Sequence, residues 1–184
     1  MNRESNSKTS LFLMELIISI LFFSITGAVC VRLFVSAHIT AQNSVNLSHA
    51  VMWAQNLSEA YIGCDGDLDR MADLYPDTAV LVSEESSRSG SLLLFLDADW
   101  QLISHPTDNT SGTADSASYE IVLNAAQKNA ASLFSGAGSD AQAVKAAVTI
   151  LDIRKTDTLT TEVPRGSQNM IYSIDIDHYT GDVN

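Results

Sequence analysis

The chain has 184 residues, 46% of them hydrophobic and 17% charged, with a formal net charge of -12, which gives room for one ordinary domain plus an appendage and requires no second domain. The charge is uneven: from His38 onward 20 Asp and Glu stand against 7 Lys and Arg, which makes that part a poor electrostatic partner for nucleic acid or anionic lipid.

Residues 1–10 are polar, and Arg3, Lys8 and the amino terminus outweigh Glu4. The positive-inside rule keeps such an end in the cytoplasm. Residues 11–31 contain one charge, Glu15, and Arg32 follows directly. As a helix this run is about 32 Å long, enough to cross the hydrocarbon core. A carboxylate within an apolar span costs roughly 2.5–3.5 kcal/mol on insertion scales, so Glu15 is expected to have a specific task.

A basic leader, the small residue Ser10, then Leu11, a Glu at the fifth position after Ser10 and a membrane-length apolar run stand in one order. That order resembles the type IV pilin-like family, the pilins and the pseudopilins of secretion and DNA-uptake machines, with Ser10 in place of the usual Gly and Leu11 in place of Phe. The resemblance implies a leader (1–10) cut between Ser10 and Leu11 by a prepilin peptidase, a membrane aspartic enzyme that usually methylates the new amine. It further implies assembly with other pilin-like subunits, driven by a cytoplasmic ATPase and a membrane platform protein. The chain would sit first as a single-pass protein of the inner or cytoplasmic membrane, held by residues 11–37 with its domain outside, and then in an extracellular or periplasmic pilus or pseudopilus. In the filament, Glu15 would face the positive amine of a neighbour's Leu11.

A function of another class competes with this reading. Val35-Ser36-Ala37 offers small residues just before His38, where a secretory signal peptidase would cut. The product would be a secreted or signal-anchored extracellular binding domain that does not polymerise. The apolar run is longer than a usual signal core, and it contains Glu15.

Residues 37–61 contain no Pro or Gly, and Ala41, Val45, Ala50, Val51, Ala54, Leu57 and Tyr61 recur near helical spacing. This predicts an amphipathic helix over 38–62, stopped at Gly63. The resemblance makes it the second half of one long helix. Cys30 and Cys64 would then lie roughly 50 Å apart, too far to form a disulfide.

Residues 63–90 read as a linker with a short helix. Asp65, Asp67 and Asp69 alternate like the start of a calcium loop, but an EF-hand register from Asp65 meets Arg70 where Gly is needed and Pro76 where Glu is needed. Helix capping by an Asp, ahead of Leu68, Met71, Ala72 and Tyr75, explains the stretch better.

Residues 91–184 predict a sheet. Residues 91–97 and 100–104 read as a hairpin around Asp97-Ala98-Asp99, and residues 119–125, 143–154 and 170–179 supply three further strands. The polar runs 108–118 and 155–168 read as loops. Strands in succession without crossover helices imply a mostly antiparallel meander of four to five strands. The predicted class is α+β, with the amphipathic half of the helix covering the one dry face of the sheet.

The chemical motifs are thin. Residues 135–139, Ser-Gly-Ala-Gly-Ser, lack the lysine of a phosphate loop, and Asp175, Asp177, His178 and Asp182 read as a solvated acidic strand face better than as a metal cluster. No GxSxG, HExxH or CxxC occurs. No catalytic activity, metal or cofactor is expected.

Overall fold

The computed structural model describes residues 4–83, 86–104, 117–136, 138, 141–154 and 169–182. The fold is α+β. Helix α1 (Glu4–Gly63) is followed by the short α2 (Leu68–Asp73) and five strands: β1 (Val80–Ser83), β2 (Gly90–Leu96), β3 (Tyr119–Asn129), β4 (Ala141–Asp152) and β5 (Met170–Asp182). The strands pair in chain order, each antiparallel to the next. The predicted loops at 108–118 and 155–168 lie wholly or mostly outside the described residues.

Two compact units divide the chain, one up to Val45 and one from Asn46. In the second unit the last turns of α1 meet the sheet through Ala50, Ala54, Leu57 and Tyr61, spaced four, three and four residues apart and all fully buried. They share a cluster with Leu92, Leu94 and Leu96 of β2, Ile121 and Leu123 of β3, and Val148 and Ile150 of β4. The two alanines allow close approach, and burying a Leu contributes about 1.5–3 kcal/mol. The amphipathic stripe was expected to pack from 38 onward, but partial burial starts at Asn46 and full burial at Ala50, and Ala41 and Val45 are exposed. A stripe shows which side of a helix is apolar; the extent of the sheet decides how many turns it covers.

The end of α1 is set by Asp65. Its N–H bonds to the Ile62 carbonyl at 3.0 Å, and the Gly66 N–H reaches back to the Tyr61 carbonyl at 3.1 Å. Asp65 has φ 58° and Gly66 φ 71°. This is the Schellman arrangement, with the left-handed residue two positions past Gly63, where the stop was expected. Gly66 is held by space as well: a Cβ there would lie 3.1 Å from Val144 Cγ2. Gly66→Ala should therefore lower the urea-unfolding free energy of the domain by about 1–2 kcal/mol, the usual left-handed penalty for a residue with a Cβ, with more added if Val144 cannot yield.

Two strand expectations change. Val80-Leu81-Val82 forms β1 inside the stretch read as linker, pairing with Gly90–Leu93. The segment 100–104, expected as the return strand of a hairpin, pairs only briefly: it makes the bridge Leu96↔Leu102, with backbone bonds from the Ile103 N–H to the Phe95 carbonyl at 2.9 Å and from the Asp97 N–H to the Gln101 carbonyl at 3.0 Å. The two departures share one cause. β1 occupies that edge of β2 as far as Leu93, which leaves only its last residues for the returning chain.

The sheet also has more than one dry face. Leu93, Phe95, Val122, Leu151 and Ile153 form a second buried cluster on the side away from α1, and Glu120 is fully buried on the same face. The run from Leu92 to Leu96 does not alternate, as suits a strand buried on both sides. Farther along, that face turns polar, with Asn124 Nδ2 donating to Ser91 Oγ at 3.0 Å and a Thr149–Ser173 hydroxyl pair at 2.9 Å.

Candidate functional site

The predicted site residues lie on the first part of α1. Ser10 and Glu15 are exposed, and Leu11 is 66% exposed. Around them Phe12, Leu13, Met14, Ile17, Phe22, Phe23 and Ile25 are exposed as well. Helix α1 is long and apolar enough to cross a membrane, and none of its most apolar window is buried within the chain.

Two of its hydroxyl groups are satisfied locally. Ser24 Oγ donates to the Ile20 carbonyl at 2.8 Å and Thr26 Oγ1 to the Phe22 carbonyl at 2.9 Å. The helical backbone and these two hydroxyls are thus bonded within the one segment, as a bilayer requires. The two charges of this stretch differ from those hydroxyls, since neither Glu15 nor Arg32 takes part in an ion pair among the described residues. Their side chains point outward, and any partner must come from elsewhere.

Compared with family models, curated proteins and solved structures, the chain matches none.

The other candidates from the sequence fall into structural roles. Asp67 caps α2: its Oδ1 accepts from the N–H groups of Asp69 and Arg70 at 3.0 and 3.1 Å, and its Oδ2 accepts from Ser87 Oγ at 3.1 Å. Partial burial pushes the Asp67 carboxyl up, but those hydrogen bonds and the charge of Arg70 outweigh it and hold the group below its ordinary value. A depressed carboxyl stabilises the fold above its unfolded value, near 3.8, and loses that contribution as pH falls through the folded value. Asp67→Ala should cost about 1 kcal/mol at neutral pH. The gap between the two proteins should narrow only below about pH 4, measured by urea unfolding across pH.

Asp65 accepts from Arg88 Nη2 at 2.7 Å and meets His178 Nε2 at 3.2 Å. The structure thus joins two residues that the sequence placed in separate candidate clusters. The contact ties the end of α1 to β5 and to the β1–β2 connection. Among the described residues no group of three or more His, Cys, Asp or Glu converges as a metal site would. Asp177 lies 4.0 Å from Lys145; the Asp182 side chain, Ala137 and Ser139 lie outside the described part. Cys30 and Cys64 are free thiols, and burial together with the charge of Asp67 pushes the Cys64 thiol up, which makes it a poor nucleophile.

Proposed function

We propose that this protein is a pilin-like subunit: a membrane-inserted precursor whose leader is removed between Ser10 and Leu11 and whose amino-terminal helix then carries it into a pilus or a secretion or DNA-uptake pseudopilus. The observation that carries the reading is Glu15, an outward-facing carboxylate in an otherwise apolar exposed helical segment, without a partner of its own among the described residues. A charge of that kind is costly in lipid and in a packed helix bundle alike unless a second molecule answers it. The amine of Leu11 on an adjacent copy is such an answer. A helix that offers apolar side chains all round in its first part, and is anchored in a sheet by its last turns, suits a subunit held to its neighbours by helix packing.

In this reading the chain catalyses nothing. The prepilin peptidase, the assembly ATPase and the platform protein act on it, and the acidic outer domain supplies the exposed surface. Amino-terminal sequencing of the mature protein is the direct test. A start at Leu11 is expected; a start at His38 would mark a secreted domain, and Met1 a plain anchor. Ser10→Leu should leave the precursor about ten residues too long by mass, because a bulky side chain blocks the small-residue position, and normal maturation of that variant would show that the site is elsewhere.

A further inference from the structure

Glu15 and Arg32 are the only charged residues between Ser10 and His38. They carry opposite signs, both are exposed, and both belong to the unbroken helix α1. They cannot meet within one chain, because the 17 positions that separate them span about 25 Å along the axis at ~1.5 Å per residue. Nor do they lie on one face: at about 100° per residue, 17 positions leave them roughly 100° apart around the axis, so each faces a different neighbour.

We infer that Arg32 is the assembly partner of Glu15 on a second copy of this chain displaced along the helix axis by about 25 Å. The inference rests on the pilin-like reading and adds the residue and the offset to it. An inserted chain holds Arg32 just beyond the 21-residue apolar run, at the outer lipid–water boundary, where a guanidinium stays hydrated. Glu15 lies near the opposite boundary. Copies side by side in the bilayer therefore keep the two charges at different depths, and no pair forms.

A copy drawn outward by the same 25 Å brings its Glu15 level with the Arg32 of the next copy still inserted. The pair thus distinguishes an extracted subunit from a resting one. It uses two different faces of the helix, so the contact is head-to-tail and repeats without closing, as a filament needs. The carboxylate has acceptor sites for both this guanidinium and a Leu11 amine, the amine coming from a third copy offset by only about 6 Å, the four-residue rise from Leu11 to Glu15.

The offset can be read with cysteines. Ser19 and Ser36 lie four residues, one helical turn, beyond Glu15 and Arg32 respectively, and both are exposed. In the full chain with Cys30→Ser and Cys64→Ser, adding Ser19→Cys and Ser36→Cys together should give, on oxidation of sheared filaments, a ladder of dimers and higher multimers on a non-reducing gel. Neither cysteine alone should give a ladder. Arg32→Gln should lower sheared-filament yield at least ten-fold with the membrane level unchanged, and Arg32→Lys should restore most of it. Filaments that form without the ladder, dimers from Ser19→Cys alone, or full yield from Arg32→Gln would overturn the offset pairing and leave the pilin-like reading standing. An unaltered chain that is never cut before Leu11 and yields no filaments overturns both.

Discussion

Glu15→Leu should keep its level in the membrane fraction and lose nearly all sheared filaments. Replacing a carboxylate by Leu within the apolar run removes roughly 3 kcal/mol of insertion cost, so entry into the bilayer becomes easier. What the substitution removes is the answer to positive charge. In the assembly proposed above, the Leu11 amine of a neighbour would then be enclosed without a counter-charge, and an uncompensated buried charge costs about 3–5 kcal/mol. That sum recurs at every subunit added, and ~1.4 kcal/mol is already a factor of ten in each step's equilibrium. Glu15→Gln tests the charge with the shape kept and should fail almost as fully. Full filament yield from Glu15→Leu would remove the pairing role. Loss of membrane level together with filaments would mean that Glu15 acts in insertion or processing.

Much of the architecture could be read in the sequence because it rests on local signals. An unbroken apolar run followed by helical spacing at Ala50, Ala54, Leu57 and Tyr61 marks α1, and the alternation of Tyr172, Ile174 and Ile176 with Ser173, Asp175 and Asp177 marks β5. What could not be read depends on competition between segments. Val80-Leu81-Val82 is too short to stand out, yet it takes the edge of β2 that a hairpin from 100–104 would have used. The second buried face was present in the unbroken run from Leu92 to Leu96, where a strand with one wet face would alternate. Strands β3, β4 and β5 run past or start before their predicted limits, to Asn129, from Ala141 and to Asp182, because pairing with a long neighbour extends a strand through residues of weak propensity. Asp65 and His178 stand 113 residues apart, and only the fold brings them within reach. Glu15 and Arg32 stand out in sequence because charge is so rare around them, and neither takes part in an ion pair among the described residues.

Trp100→Ala should lower the stability of the domain by about 3–5 kcal/mol, among the largest losses any single substitution here can cause. Trp100 is 5% exposed and forms the middle of a stack. Its ring lies 4.0 Å from that of Tyr119 and 5.4 Å from that of His49, with interplanar angles of 19° and 18°. Tyr119 Oη donates to Asn46 Oδ1 at 3.2 Å, and the Arg154 guanidinium lies 5.0 Å from the Tyr119 ring centre while holding Asp152. Asn46 and His49 are on α1, Tyr119 begins β3 and Arg154 follows β4, so one indole links the helix to the end of the sheet. The chain accepts an unfavourable backbone to place it there, since Trp100 has φ 63°, an outlying angle for a bulky residue. The turn that makes this possible is held by Asp97, whose Oδ1 accepts from the N–H groups of Asp99 and Gln101, both at 2.9 Å. Trp100→Gly separates the two contributions. Relief of the left-handed strain, about 1–2 kcal/mol, should leave the glycine variant more stable than the alanine variant, although both lose the stack. Urea unfolding of the three proteins followed by far-ultraviolet circular dichroism measures this order, and an alanine variant as stable as the glycine variant would show that the backbone at position 100 carries no strain.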